Sequence, residues 1–218
     1  MPTLTPFPAS SERLLYTPVT QENFAELLTV YNSNPDYMEY AYGQRAVTIK
    51  EVEADHEENL GYADSFSYCL REASEGLIVG IAQFILCNPR DGHPWLGLIM
   101  LHSEHQKKGY AKEFLDQLIH WYRENGYSSL HLGVLEKNAG VVPFYEKYGF
   151  QVYEERVTEK LGRVICLSYA LTQVYDDIAH KKTGQPAPSR SLSYSSTIST
   201  TIFSATPIGG KLRVSLGP

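Results

Sequence analysis

A continuous apolar segment, residues 95–102, leads through a short polar turn into an amphipathic helix pattern at residues 110–125. The segment is apolar at consecutive positions, which is typical of a central strand covered by helices on both faces. In the helix pattern the apolar residues repeat on one face, and Gly126 follows where a helix commonly ends. A central strand that runs directly into such a helix predicts a sheet with helices packed against it.

Strand and helix patterns alternate from about residue 13 to residue 171. Apolar runs and period-two patterns predict strands at 13–19, 66–71, 77–86, 95–102, 130–135, 150–157 and 163–171. Helical spacing predicts helices at 24–31, 48–60, 110–125 and 141–148, with residues 32–43 as a loop. The second helix is expected to be capped by Thr48, with Glu51 three residues later. About seven strands and four helices indicate a mixed α+β fold.

The composition limits the class of protein and of partner. The 218 residues suffice for one domain, and the formal charge of −6 argues against nucleic acid, because phosphates need a basic surface. The longest apolar run, residues 77–87, is about half a membrane span, so no membrane partner is expected. Three widely spaced cysteines in apolar stretches (Cys69, Cys87 and Cys166) and an N-terminus without a signal-peptide pattern predict reduced core thiols in a cytoplasmic protein.

The C-terminal segment differs from the rest of the chain. Residues 173–218 carry a net charge of +3, which leaves −9 on residues 1–172, and residues 189–207 are rich in Ser and Thr without a helical period. We predict one folded domain over residues 1–172 and an extension over residues 173–218 that is poorly ordered or loosely packed. The alternative is an additional edge strand near residues 195–203, where Ile198, Ile202 and Phe203 would pack on the sheet.

The junction between the central strand and the following helix has the features of a phosphate site. Its sequence, LIMLHSEHQKKGYAK over residues 98–112, places lysines and a glycine directly before the helix. A helix N-terminus exposes unpaired amides at the positive end of its dipole, and Gly109 allows close backbone approach. The spacing matches neither the P-loop nor the dinucleotide-binding fingerprint.

The segment Gln106-Lys107-Lys108-Gly109-Tyr110-Ala111 resembles the Q/R-x-x-G-x-G/A pyrophosphate loop of the GNAT acyltransferases. Downstream, Asn138 followed by Phe144-Tyr145-Glu146-Lys147-Tyr148-Gly149-Phe150 is similar to the N…FYEKxGF segment of the same family. One helix and one strand separate the two segments, as in the family. Upstream, residues 79–82 resemble the third strand of the family. The resemblance covers about residues 13–171. Ala111, Lys107 and Val141 depart mildly from the commonest residues.

The resemblance implies a mostly antiparallel GNAT-like sheet whose central strands splay apart around acetyl-CoA, the co-substrate. The pantetheine arm would pair with the backbone of Ile99 and Leu101, and an N–H near Leu101 would bind the thioester oxygen. Tyr145 matches the tyrosine that protonates the departing thiolate, with a core tyrosine as the alternative. Asn138 would contact the CoA arm or cap the next helix. The pyrophosphate would lie on the loop residues Gln106, Lys107, Lys108, Gly109, Tyr110 and Ala111.

The general base stays open at this stage. The family's usual glutamate falls near Trp95, so that carboxylate is missing. The candidate replacements, acting through water, are His93, His102, Glu104 and Glu136, with a solvated surface group as the alternative for each. The histidines and Cys87 fit no metal-ligand spacing, so no metal is assigned.

The segment between the first two predicted helices lies on the acceptor side in GNAT-like folds. It holds several tyrosines and two carboxylates, of which Tyr37, Glu39 and Tyr40 are candidate acceptor contacts; aromatic faces beside carboxylates suit a cationic amine. Packing of these tyrosines on the sheet is the alternative. The expected activity is acetyl transfer to the primary amine of a small molecule. A protein or peptide acceptor, a non-catalytic acyl-CoA-binding module and a homodimer are the alternatives left open.

Overall fold

The structure, a computed structural model, describes residues 4–159 and 161–171. Within these residues, seven strands form one sheet: β1 (Leu14–Pro18), β2 (Ser65–Glu72), β3 (Ile78–Ile85), β4 (Trp95–Leu101), β5 (Ser129–Leu135), β6 (Gln151–Thr158) and β7 (Gly162–Ala170). The α-helices are α1 (Phe24–Asn32), α2 (Pro35–Tyr42), α3 (Ile49–Leu60), α4 (Tyr110–Glu124) and α5 (Val142–Tyr148). Short 3-10 helices occupy Gln21–Asn23, Ser103–His105 and Glu136–Val141. The predicted α+β fold is confirmed.

The strand order in the sheet is β1-β2-β3-β4-β5-β7-β6. All neighbours are antiparallel except β4 and β5, which are parallel because α4 crosses over between them. The sheet is therefore mostly antiparallel, and its single parallel pair lies at the centre.

Helices cover both faces of the sheet and enclose two hydrophobic cores. Leu96, Ile99 and Leu101 of β4 belong to the core under α4 and α5. Leu98 and Met100 belong to the core under α1, α2 and α3. The burial of β4 on both faces agrees with its continuous apolar sequence.

The structure corrects the prediction that residues 32–43 form a loop. They contain α2, with Pro35 in the first helical position and Gly43 in the left-handed conformation (φ 75°) at its end. These are common residues at helix starts and ends, but the helix spans only eight residues and its tyrosines mask the apolar period. The capping of α3 by Thr48 and Glu51 is confirmed.

The cysteine prediction is right for two residues and wrong for the third. All three are free thiols; Cys69 and Cys166 are buried, whereas Cys87 is exposed because it follows the end of β3. Residues 173–218, including the alternative strand near 195–203, lie outside the described residues, so the division at residue 172 stays a prediction.

Candidate active site

The two parallel strands separate soon after they begin. β4 and β5 pair at only two positions, Trp95 with His131 and Leu96 with Leu132. β4 continues to pair with β3 as far as Leu101, while β5 pairs with β7 along its whole length. Beyond Leu96, therefore, a gap opens between the two central strands.

Alternate backbone groups of β4 face this gap. The N–H of His102 donates to the carbonyl of Val79 (2.9 Å), so it points toward β3. Because successive residues of a strand point their backbone groups to opposite sides, the N–H and C=O groups of Leu101 and Ile99 point into the gap. The two β4 residues predicted to pair with the pantetheine arm are thus the ones whose backbone faces it.

The loop after β4 bends through two left-handed residues. Lys107 has φ 59° and Gly109 has φ 90°, and α4 starts at the next residue. Alternating left-handed residues turn successive amide groups toward a common point, which forms an anion-binding nest. The positive φ also explains why glycine suits the position of Lys107.

The side chains of this loop divide into two groups. Lys107 and Lys108 are exposed, and neither is in an ion pair with a described residue. The side chains of Tyr110 and Ala111 are buried, so only their backbone amides can contribute to a bound pyrophosphate. Lys112 is also exposed, but its ammonium group is paired with Asp116 (2.8 Å).

Arg13, directly before β1, supports the loop from the side and is not marked by any motif in the sequence. Its Nη1 donates to the carbonyl of Lys108 (3.0 Å), and its Nε donates to the Glu113 carboxylate (2.8 Å). The guanidinium lies 4.8 Å from the centre of the Tyr110 ring. A side chain at Gly109 would place its Cβ 3.2 Å from Nη2 of Arg13. No local pattern indicates a contact between residues almost one hundred positions apart.

A buried asparagine before α2 connects the acceptor side to the end of β4 and to the loop. The Asn34 Nδ2 donates to the carbonyl of Leu101 (3.0 Å), and its Oδ1 accepts from Nε2 of Gln106 (2.7 Å). Gln106 Nε2 also lies 3.3 Å from the same carbonyl, and the Ser103 N–H donates to Oγ of Ser33 (3.0 Å). The Gln106 side chain thus points into the protein, leaving its backbone for a ligand.

Tyr145, predicted to be the acid, is completely buried at the start of the second turn of α5. Its ring packs against Phe144 and Phe150, and its hydroxyl has no hydrogen-bond partner among the described residues. Burial, with a smaller contribution from nearby Tyr37, raises the pKa of Tyr145 well above the ordinary tyrosine value. The phenol therefore keeps its proton at neutral pH.

Asn138 lies in the 3-10 helix that follows β5, with φ −108°. The N-cap residue of α5 is Val141. Asn138 itself has non-helical φ/ψ at a kink between two helical segments, so both its predicted contact with the CoA arm and the capping alternative stay predictions.

The three candidate acceptor contacts lie on α2 but face different surroundings. Tyr37 is buried in the core under α1–α3. Glu39 and Tyr40 line an open cavity of about 580 Å³. Its other lining residues are Ala41, Tyr42, Gly43, Glu51, Ala54, Lys137, Leu161 and Gly162. Glu39 is paired with Arg45 (2.9 Å).

The four candidates for the base are scattered. The exposed His93 stacks on His131, with ring centres 4.2 Å apart, and burial lowers the pKa of His131 to about 4. Glu136 is paired with Arg163 (3.3 Å). His102 accepts a hydrogen bond at Nδ1 from the N–H of Glu104 (3.3 Å). Among these contacts, only His102 and Glu104, which lie near each other in the chain, interact with one another, so the contacts do not gather the four candidates around a single substrate.

Residues 4–159 and 161–171 show neither a metal cluster nor a membrane-crossing helix. No group of three or more His, Cys, Asp or Glu residues there is arranged to hold a metal ion. None of the helices in this part of the chain has the length and apolar character needed to cross a membrane.

Comparison with known sequences identifies one family of acetyltransferases. Residues 27–150 match the model of the Acetyltransferase (GNAT) family, which is more than half of the chain. The spermine/spermidine N(1)-acetyltransferase of Bacillus subtilis (strain 168) is 27% identical over 110 residues, which cover 42% of this chain and 72% of that protein. The uncharacterized protein YkzC of the same strain is 26% identical over 86 residues, which cover 39% of this chain and 60% of YkzC, less than two thirds.

Solved structures share the fold. An acetyltransferase from Thermus thermophilus superimposes with a TM-score of 0.62 at 20% identity, covering 72% of this chain and 97% of that one. A spermidine N-acetyltransferase from Vibrio cholerae, solved in complex with CoA and spermine, gives 0.57 at 17% identity, covering 74% and 97%. The family match spans the gap, the loop after β4 and α5. The chain belongs to the GNAT acetyltransferase family.

Proposed function

We propose that this enzyme transfers the acetyl group of acetyl-CoA to the primary amine of a small molecule, by direct attack of the amine in a ternary complex. The observation that carries the proposal is the gap between β4 and β5, which ends at the left-handed loop before α4. A strand-like pantetheine arm fits the edge of β4 that has no neighbouring strand beyond Leu96, where the Leu101 carbonyl is held by Asn34 and the N–H of Leu101 and the backbone of Ile99 face the gap. A pyrophosphate fits the amides of Lys107, Lys108 and Gly109.

The buried hydroxyl of Tyr145 supports the same assignment. A donor that lacks a protein partner at complete burial is unfavourable unless a ligand accepts its hydrogen bond. The sulfur of CoA is such an acceptor when the thioester breaks. Tyr145 would give its proton to the departing thiolate, while backbone N–H groups of β4 stabilise the oxyanion.

The acceptor side supports a small amine. The cavity beside α2 and α3 contains Glu39, Glu51 and the ring of Tyr40, and its volume suits a small molecule. The Bacillus subtilis relative is a spermine/spermidine N(1)-acetyltransferase, and the Vibrio cholerae enzyme was solved with spermine. Both names point to amines of low molecular weight.

A screen of amines tests the proposal. The protein is incubated with acetyl-CoA and individual alkylamines, polyamines, amino acids or peptides, and free CoA thiol and acetylated product are measured. We expect equal amounts of thiol and acetyl-amine for at least one small amine. Transfer to peptides alone, or acetyl-CoA binding without turnover of any amine, would contradict it.

A further inference from the structure

One face of α3 carries three carboxylates, which line two cavities next to the sheet. Glu51, Asp55 and Glu58 are four and three residues apart, so they lie on the same side of the helix. Glu51 lines the large cavity beside α2. Asp55 and Glu58 line a second, small cavity between α3 and the sheet, which we call the α3 slot.

The α3 slot has room for one water molecule. Its volume is about 20 Å³, and its lining residues are Asp55, Glu58, Asn59, Tyr62, Gln83, Ile85 and Gly97. A cavity needs roughly 10–15 Å³ and two to four polar partners to hold a water. The slot meets both conditions, because carboxylates, amides and a phenol line it.

An unpartnered amide independently indicates a ligand in the slot. Gln83, on β3, is only 6% exposed, and its Nε2 has no hydrogen-bond partner among the described residues. A buried donor left without an acceptor is unfavourable by about 1–3 kcal/mol. A water in the slot would accept this hydrogen bond and donate to the facing carboxylates.

Asp55 is held in a fixed position on the other side of the slot. It is only 7% exposed, and its two oxygens accept hydrogen bonds from the hydroxyls of Tyr31 (2.8 Å) and Tyr42 (3.0 Å). A carboxylate has about four acceptor positions, so it can also accept from a water. The two tyrosines come from α1 and α2, so three helices together orient this one carboxylate.

The slot reaches β4 where the gap begins. Gly97 lies at an irregularity in the β3–β4 pairing and directly follows Leu96, the last residue of β4 that pairs with β5. An arm that starts on the loop after β4 and follows Leu101 and Ile99 has its acyl end toward Gly97. The slot therefore lies on the acceptor face beside the expected position of the thioester.

From this placement, and resting on the proposed acetyl transfer, we propose that Asp55 takes the proton of the acceptor amine through a water held in the α3 slot. The ammonium N–H bond breaks and its proton passes to the water, which gives one of its own protons to the Asp55 carboxylate. The nitrogen lone pair then attacks the thioester carbon, the C–S bond breaks, and the thiolate takes the proton of Tyr145. The acylated nitrogen loses its second proton, which returns to the Tyr145 phenolate, and Asp55 later releases its proton to solvent, so a neutral amide and the CoA thiol leave. Gln83 positions the water.

The test compares two acceptors of different basicity in the variant Asp55→Asn, which keeps the size of the side chain. For an accepted alkylamine, which is protonated at neutral pH, kcat/KM should fall about a hundredfold. For the matching alkoxyamine, which is already neutral, the variant and the parent should differ little. A purely structural role of Asp55 would lower both rates equally.

Two further variants and a binding measurement complete the test. Glu57→Gln removes a carboxylate from the solvent side of α3 and should behave as the parent. Gln83→Leu removes the amide without opening space, and should reproduce the selective loss even if Asp55→Asn does not fold. Acetyl-CoA should raise the melting temperature of the parent and of every variant by the same amount, because binding to the folded state stabilises it. Equal losses with both amines, or no loss with either, would overturn the inference alone; a parent that acetylates no amine would overturn the proposed function as well.

Discussion

The buried hydroxyl of Tyr145 has opposite consequences for stability and for activity. In the unliganded protein it is a donor without a partner among the described residues, so it stabilises nothing there. Burial also raises its pKa, which keeps the proton on the oxygen until a strong acceptor arrives. A thiolate formed inside the gap is such an acceptor.

Replacing this tyrosine separates the two effects. Tyr145→Phe keeps the ring and its contacts with Phe144 and Phe150 but removes the proton. We expect kcat to fall about a hundredfold or more, with CoA affinity nearly unchanged, and with a free energy of unfolding equal to or about 1 kcal/mol above that of the parent. The fall in kcat should shrink with an acyl donor whose thiol is more acidic. Steady-state rates measure kcat, and urea denaturation measures the free energy of unfolding. A variant as active as the parent would show that Tyr145 is only a packing residue.

Between elements, Asn34 connects the start of α2 with the end of β4 and the loop before α4. It precedes α2 on the acceptor side, yet its amide bonds to the end of β4 and to Gln106 in the loop. These hydrogen bonds fix the position of the loop relative to the start of α2. We therefore expect binding of acetyl-CoA on one side and of the amine on the other to depend on the same buried amide.

The variant Asn34→Ala tests this connection. It leaves the Leu101 carbonyl and the Gln106 amide with fewer partners, and we expect the Kd for acetyl-CoA to rise about five- to tenfold, equivalent to roughly 1 kcal/mol. Asn32→Ala is the matched control, because Asn32 bonds only to the backbone of Val47 in the described contacts. The control should lower stability and leave Kd unchanged, as calorimetric titration would show. The same Kd in both variants would remove Asn34 from the site.

The elements themselves can be predicted from local sequence to different degrees. The predicted bounds of strand β4 and helix α4 agree with the structure within one residue, because burial imposes a continuous or a 3.6-residue apolar pattern. The pattern misses helix α2 since it is only eight residues long, although Asn34-Pro35 and Gly43 mark its ends. Short helices depend on such end residues and on packing more than on period.

For the whole molecule, the resemblance to the GNAT family supplies what local patterns cannot. The separation of β4 from β5 and the backbone direction at Ile99 and Leu101 follow from strand pairing across the sheet. Three features join residues that are distant in sequence: the contact of Arg13 with Lys108, the contact of Asn34 with Gln106, and the α3 slot. A periodic pattern in the local sequence cannot predict such contacts. The expected role of Gly109, close backbone approach to a phosphate, could in contrast be predicted from this single residue type, and its φ of 90° agrees with it.

We expect the loop before α4 to bind acetyl-CoA, and calorimetric titration of the variant Gly109→Val measures this. Valine would be strained at φ 90° and its Cβ would press on Arg13, so the amides of the loop would be displaced. Gly76→Val is the control, because Gly76 has a similar φ of 72° in the exposed β2–β3 turn, with nothing within 4 Å of an added Cβ. We predict that the parent and Gly76→Val bind acetyl-CoA equally, whereas folded Gly109→Val binds at least about tenfold more weakly. Equal affinity in all three proteins would show that this loop does not bind acetyl-CoA.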